Sequence, residues 1–225
     1  MSSEVRRESP LLGFAAEANS QSGIHISERP FLGHVNLRGN AGDDAFLKAA
    51  EGALGFGLPL VPNTVSHSAG LTALWLGPDE WLIITPPDGE NTIVASMKSS
   101  LGDIHSSITD QTGGQTIIRI SGPSAPDILA KGCTLDLHPT VFGPGRCAQT
   151  MMAKAMAIIV YTDDTPTFDL VIRRSFADYV HEWLQDAALE YGLAARAEPV
   201  FESDSPDAGS SDRFTRPPNQ FETSI

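Results

Sequence analysis

Apolar positions recur at two spacings along this chain. From His34 to Arg38 they alternate, the period of a half-buried strand, and Gly39 ends the run. Phe46, Leu47, Ala50 and Leu54 then fall three and four apart, which predicts a helix over 43–54 with Asp43-Asp44 at its cap. Two strands, 71–76 and 81–85, flank the turn Gly77-Pro78-Asp79-Glu80, and a helix over 90–101 follows. Next, Gly113-Gly114 between 105–111 and 115–121 predicts a hairpin. A short helix over 125–131 leads to strands at 148–153, 156–161 and 168–172. The last helix shows one apolar stripe through Phe176, Val180, Trp183, Leu184, Ala187 and Tyr191. Ser175 is its expected N-cap, with Asp178 three residues on, and Gly192 its stop.

Side by side, both halves read strand–Gly–helix–strand–strand–helix, with Leu37-Arg38-Gly39 matching Ile120-Ser121-Gly122. The expected class is α+β: two pseudo-repeated units of antiparallel sheet with helices packed on them. The expected organisation is an N-terminal extension (1–29), a body (30–197) with subdomains near 30–103 and 104–197, and a tail (198–225). The tail, rich in Ser, Pro and Asp, lacks apolar periodicity and is expected to be solvated; Phe201, Phe214 and Phe221 are its only large anchors for a partner.

Composition narrows the function. The 225 residues carry a net charge of −13, which argues against nucleic acid or an anionic membrane as partner. Two cysteines cannot make a disulfide scaffold. The run Ala155–Tyr161 is strand length, far short of the roughly 20 residues of a membrane helix. The N-terminus lacks the apolar core of a signal peptide, so a cytoplasmic location is expected.

Motifs for chemistry are scarce. There is no nucleophile elbow and no phosphate-binding P-loop, and Gly55-Phe56-Gly57 lacks the rest of a dinucleotide fingerprint. Cys133, His138 and Cys147 are the nearest approach to a metal set, short of the four ligands a structural zinc takes. Asp163-Asp164 before Thr165-Pro166 reads as a hairpin tip. No catalytic, cofactor or metal residue is therefore assigned to this chain. The informative segment is 74–84, where Trp75 and Trp81 flank an acidic turn. They pair across a hairpin as core, or they meet another subunit. Trp75, Asp79, Glu80, Trp81, Leu137 and His138 are the candidate partner-facing residues.

The same residues carry a resemblance. Val35–Gly39, Leu74–Leu82, Leu129–Pro139, Pro144–Thr150, and Arg174–Tyr179 running into Glu190-Tyr191-Gly192 resemble the gamma subunit of heterotetrameric sarcosine oxidase, over most of 30–192. That family is similar in fold to the folate-binding part of the glycine-cleavage aminomethyltransferase. Asp110, Gly122-Pro123-Ser124-Ala125 and Pro144-Gly145 look like that enzyme's opening pattern. The enzyme's Gly-Gly turn and functional Asp are missing here, where the strand reads Lys154–Val160. A developing positive charge on a folate amine would want a fixed carboxylate, so the departure implies a fold kept without its chemistry.

The resemblance implies a structural subunit, without a cofactor of its own, beside alpha, beta and delta subunits. The holoenzyme of that family oxidises sarcosine with O2 and tetrahydrofolate to glycine, H2O2 and 5,10-methylenetetrahydrofolate. FAD and FMN would belong to beta (FMN at its border with alpha), NAD and the folate site to alpha, and zinc to delta. Two alternatives stay open. One is a free-standing folate-binding transferase using Asp110 or Asp164, and the other is the equivalent subunit of an N-methylglutamate dehydrogenase complex.

Overall fold

A computed structural model describes residues 7–12, 17–19 and 23–193. The expected tail, with Phe201, Phe214 and Phe221, lies outside the described residues. The strands are β1 (Glu17–Asn19), β2 (Ile24–Arg29), β3 (Gly33–Gly39), β4 (Val65–Ser68), β5 (Leu71–Gly77), β6 (Glu80–Thr85), β7 (Ser106–Asp110), β8 (Gln115–Ser121), β9 (Cys147–Met152), β10 (Ala155–Asp163) and β11 (Thr167–Arg173). The helices are α1 (Asp44–Leu54), α2 (Glu90–Leu101), α3 (Ala125–Ala130) and α4 (Ala177–Ala188).

Two antiparallel sheets result, ordered β1-β2-β8-β11-β10-β9 and β4-β5-β6-β3-β7. The central strands alternate between two buried faces. Trp81 and Ile83 of β6 join the core under α1 and α2, while Leu82 and Ile84 join a cluster with Ile117, Val160 and Val171 of the other sheet. On β10, Ala157, Ile159 and Tyr161 face the core under α3 and α4, while Ile158 and Val160 face the second sheet. The layers therefore run helices, sheet, sheet, helices. This explains why strands such as Ala155–Tyr161 are apolar without a break: both faces are covered.

The two halves are interlocked. Leaving out β1, the first sheet reads β9-β10-β11-β8-β2 and the second β4-β5-β6-β3-β7. β8 and β3, β11 and β6, β10 and β5, and β9 and β4 hold equivalent places. The outermost strand of each set, β2 or β7, precedes the other half in sequence. So β2 leads into β3 but pairs with β8, and β7 leads into β8 but pairs with β3.

Three expectations are corrected by this topology. Gly113 does turn the chain, at φ +83°. The strands it joins, however, belong to different sheets, so the turn is a crossover and not a hairpin. The segment before residue 30, expected as an extension, supplies β2 to the interior of a sheet, with Ile24 and Ile26 buried against Ile118 and Ile120. A division near 103/104 would likewise part β7 from the sheet that holds it.

The last helix also begins differently. A 3-10 turn, Arg174–Phe176, leads into α4, Phe176 takes the N-cap place, and no side chain caps the helix. Ser175 is thus part of the lead-in turn and not the cap. Asp43 does cap α1, accepting from the Ala45 N–H at 2.9 Å, and α2 has the expected bounds. Gly192 closes the last helical turn at φ +84°.

Candidate functional site

The acidic turn sits between β5 and β6. Trp75 and Trp81 are cross-strand neighbours, as the alternation predicts. Their environments differ. Trp81 is fully buried, its ring centroid 5.7 Å from that of Phe46, and its Nε1–H donates to the Pro59 carbonyl at 2.8 Å. Complete burial of such a ring contributes roughly 2–3 kcal/mol to the fold. Trp81 is therefore core, and its expected partner-facing role is withdrawn. Trp75 is half-buried on the same face, one strand nearer the sheet edge.

Both carboxylates of the turn are engaged within the chain. Arg38 Nη2 donates to Asp79 Oδ1 and Oδ2 at 3.3 and 3.1 Å. Glu80 Oε1 accepts from Asn36 Nδ2 at 2.8 Å, and its other oxygen lies 3.9 Å from Arg38. The Gly39 N–H donates to the Asp79 carbonyl. The turn is thus clamped onto β3. Two carboxylates against one guanidinium leave one negative charge at an exposed tip.

The second candidate, Leu137-His138, divides the same way. Leu137 is buried in the core of the first sheet, so it too is withdrawn as a contact residue. His138 stays exposed on a loop fixed by its own short-range bonds. Its N–H donates to Asp136 Oδ1, and its Nδ1 lies 2.7 Å from Thr140 Oγ1.

The metal candidates are not brought together. Cys133 joins the helix-side core of the first sheet, Cys147 joins the layer between sheets, and His138 points outward. Burial pushes the Cys147 thiol up to about 11. Among the described residues no three His, Cys, Asp or Glu side chains are grouped to hold a metal. Asp110 ends β7 and accepts from the Thr112 N–H at 2.8 Å, a turn-stabilising bond. Asp164 is at the exposed β10–β11 tip, whose neighbour Asp163 is held below the usual carboxylate range, chiefly by the Thr165 hydroxyl.

A further polar group lies between the sheets, unsuspected from the sequence. Asp169 is buried on β11, opposite Arg119 on β8. Arg119 grips it through Nε at 2.7 Å and Nη2 at 2.8 Å, and Arg29 adds Nη1 at 2.6 Å. The bond to Asp169 raises the Arg119 pKa further. The three border a cavity of about 270 Å3 shared with Leu74, Ile84 and Val160. The only sequence signal was one aspartate inside the apolar run Phe168-Asp169-Leu170.

The fold and this distribution of side chains define a class first. It is a two-sheet α+β protein similar in fold alone to aminomethyltransferase T of Bartonella henselae, with TM-score 0.54, 13% identity, and coverage of 71% of this chain and 44% of that one. The profile of the sarcosine oxidase gamma subunit family matches residues 38–190, and the chain belongs to that family. It is 33% identical over 203 residues to sarcosine oxidase subunit gamma of Corynebacterium sp. (strain P-1), covering 88% of this chain and 96% of that one. The Arthrobacter sp. subunit gamma is 31% identical over 177 residues, covering 78% and 85%. Among solved structures, a chain of heterotetrameric sarcosine oxidase from Corynebacterium sp. U-96 matches with TM-score 0.76 and 28% identity, covering 85% of this chain and 99% of that chain.

Proposed function

We propose that this chain is the gamma subunit of a heterotetrameric sarcosine oxidase and serves there as a structural, non-catalytic component beside alpha, beta and delta subunits. One observation carries the reading: the likeness to a chain of the U-96 heterotetramer runs over 85% of this chain and 99% of that one. On this reading the complex oxidises sarcosine with O2 and tetrahydrofolate, yielding glycine, H2O2 and 5,10-methylenetetrahydrofolate, in the cytoplasm. FAD, FMN, NAD, the folate site and zinc belong to the other subunits.

The residues support a non-catalytic role. An aminomethyltransferase reaction needs a carboxylate on the hairpin that follows Pro144-Gly145. Here β10 presents Ala155, Ala157 and Ile159 to one core and Ile158 and Val160 to the other. The stretch from Ala155 to Val160 therefore carries no carboxylate for a charged amine; the acids of this hairpin, Asp163 and Asp164, lie at its far tip.

Trp75, Asp79, Glu80 and His138 remain the partner-facing candidates, and the acidic tip fits a partner surface with a basic rim. Arg38 and Asp79 are half-exposed, so their pair is worth at most about 1 kcal/mol. Asp79→Lys with Glu80→Lys should therefore leave the chain folded by circular dichroism while reducing co-purification of the other subunits. Normal assembly of the doubly reversed chain would move the contact away from this turn. Recovery of the tagged wild-type chain without flavin-, NAD- and zinc-binding partners would overturn the subunit reading itself.

A further inference from the structure

The pseudo-symmetry of the two sheets makes the arginine–aspartate group conspicuous. With Leu37-Arg38-Gly39 matched to Ile120-Ser121-Gly122, Asn36 is the counterpart of Arg119. Asn36 stands opposite Leu82, whereas Arg119 stands opposite Asp169. So the fold closes this position with a leucine in one half and a buried carboxylate in the other. Packing alone does not ask for charges here, and burying them is costly without a compensating role.

The charges are also unequal. Two guanidiniums meet one carboxylate, which leaves one positive charge in a protein whose net charge is −13. Asp169 keeps only 7% of its side-chain surface, but Arg29 and Arg119 keep 38% and 35%. Asp163 also acts on Arg119 through space. It sits at the exposed end of β10 and accepts hydrogen bonds from the Thr162 and Thr165 hydroxyls. Among the described residues Arg29 gives Asp169 a single nitrogen, Nη1, so its fork is incompletely used. Both arginines line the cavity of about 270 Å3, the volume of about nine waters at roughly 30 Å3 each. Leu74 and Ile84 of the facing sheet line it too, as does Val160, the β10 neighbour of Asp169. A guanidinium with free donors binds a carboxylate, and an apolar wall selects one with a hydrocarbon body over inorganic phosphate or sulfate.

We propose that the space between the two sheets is a binding site for a small organic carboxylate, its anionic end on Arg29 and Arg119 and its apolar end against Leu74, Ile84 and Val160. The site is separate from any catalytic role and does not depend on the subunit reading.

The test counts benzoate sites by equilibrium dialysis on the full chain, purified with whatever subunits accompany it. Benzamide, the neutral analogue, is the control. The wild type should hold one more benzoate site per chain than Arg29→Gln, with affinity at that site falling tenfold or more. Benzamide should not compete for it. Arg29→Lys, which keeps the charge, should lose less. Thr72→Phe keeps both arginines and fills the cavity from β5, where Thr72 pairs with Ile84; it should abolish the same site. An equal benzoate count in wild type, Arg29→Gln and Thr72→Phe would overturn the proposal. So would equal competition by benzamide, which would show a hydrophobic cavity without anion recognition.

Discussion

His34 is nearly free of solvent on β3, and among the described residues neither ring nitrogen has a hydrogen-bond partner of normal geometry. Its cross-strand neighbour Ile84 belongs to the layer between the sheets. Burial lowers its pKa from 6.5 to about 4, although the Leu32 backbone and Asp110 favour the charged ring. The sign follows from linkage. Above pH 6.5 the ring is neutral folded and unfolded, and its burial adds no pH dependence. As pH falls from 6.5 toward 4, the unfolded chain takes up the proton first and stability is lost, up to roughly 3 kcal/mol. His34→Leu should remove that share of the acid limb in urea unfolding measured from pH 7 to pH 4. An unchanged slope would place the titration elsewhere. Gly122 makes a second residue-scale demand. Its φ is +120°, and a Cβ there would lie 1.9 Å from the Gly23 carbonyl oxygen. Gly122→Ala should cost about 2–4 kcal/mol by chemical denaturation; a neutral outcome would mean that the Gly23 turn gives way.

At the scale of elements, β2 decides where the folding unit begins. It pairs with β8 along five residues and covers part of the core beneath α3 and α4. A chain starting at residue 30 would expose one side of β8 and uncover Ile118 and Ile120. It should lose cooperative thermal unfolding, whereas a retained sharp transition would show β2 to be dispensable. The sequence missed this strand for a physical reason. Ile24 and Ile26 alternate, but Glu28 continues their face as a polar residue, bonded to the Thr116 and Ser9 hydroxyls. That short run is too polar to register as a strand. Elements with local signals were legible: the Asp43 cap, the bounds of α2, the tryptophan pair across its turn and the Gly192 stop. Partner choice was not. The alternation in β7 and β8 is the same whether they pair with each other or with strands of two different sheets, and Gly113-Gly114 turns the chain either way. Exposure was also out of reach, because Trp75 and Trp81 have the same composition and differ only in how far each lies from the edge of the sheet.

At the scale of the molecule, the lead strand of each half sits in the sheet of the other half, so the two sheets fold together around one shared layer. Such a body suits a rigid component of an assembly. Its turn carboxylates Asp79, Glu80 and Asp110 are occupied in holding turns. The central claim, that the chain is a non-catalytic gamma subunit, is tested most directly by co-expressing the four subunits with and without it. Native mass spectrometry and sarcosine-dependent H2O2 formation are then read on both preparations. The account predicts a tetramer containing one copy of this chain, no activity from the chain alone, and a complex that fails to assemble or loses stability when the chain is left out. A full-strength, equally stable oxidase formed without it, or sarcosine oxidation by the chain alone, would contradict the account.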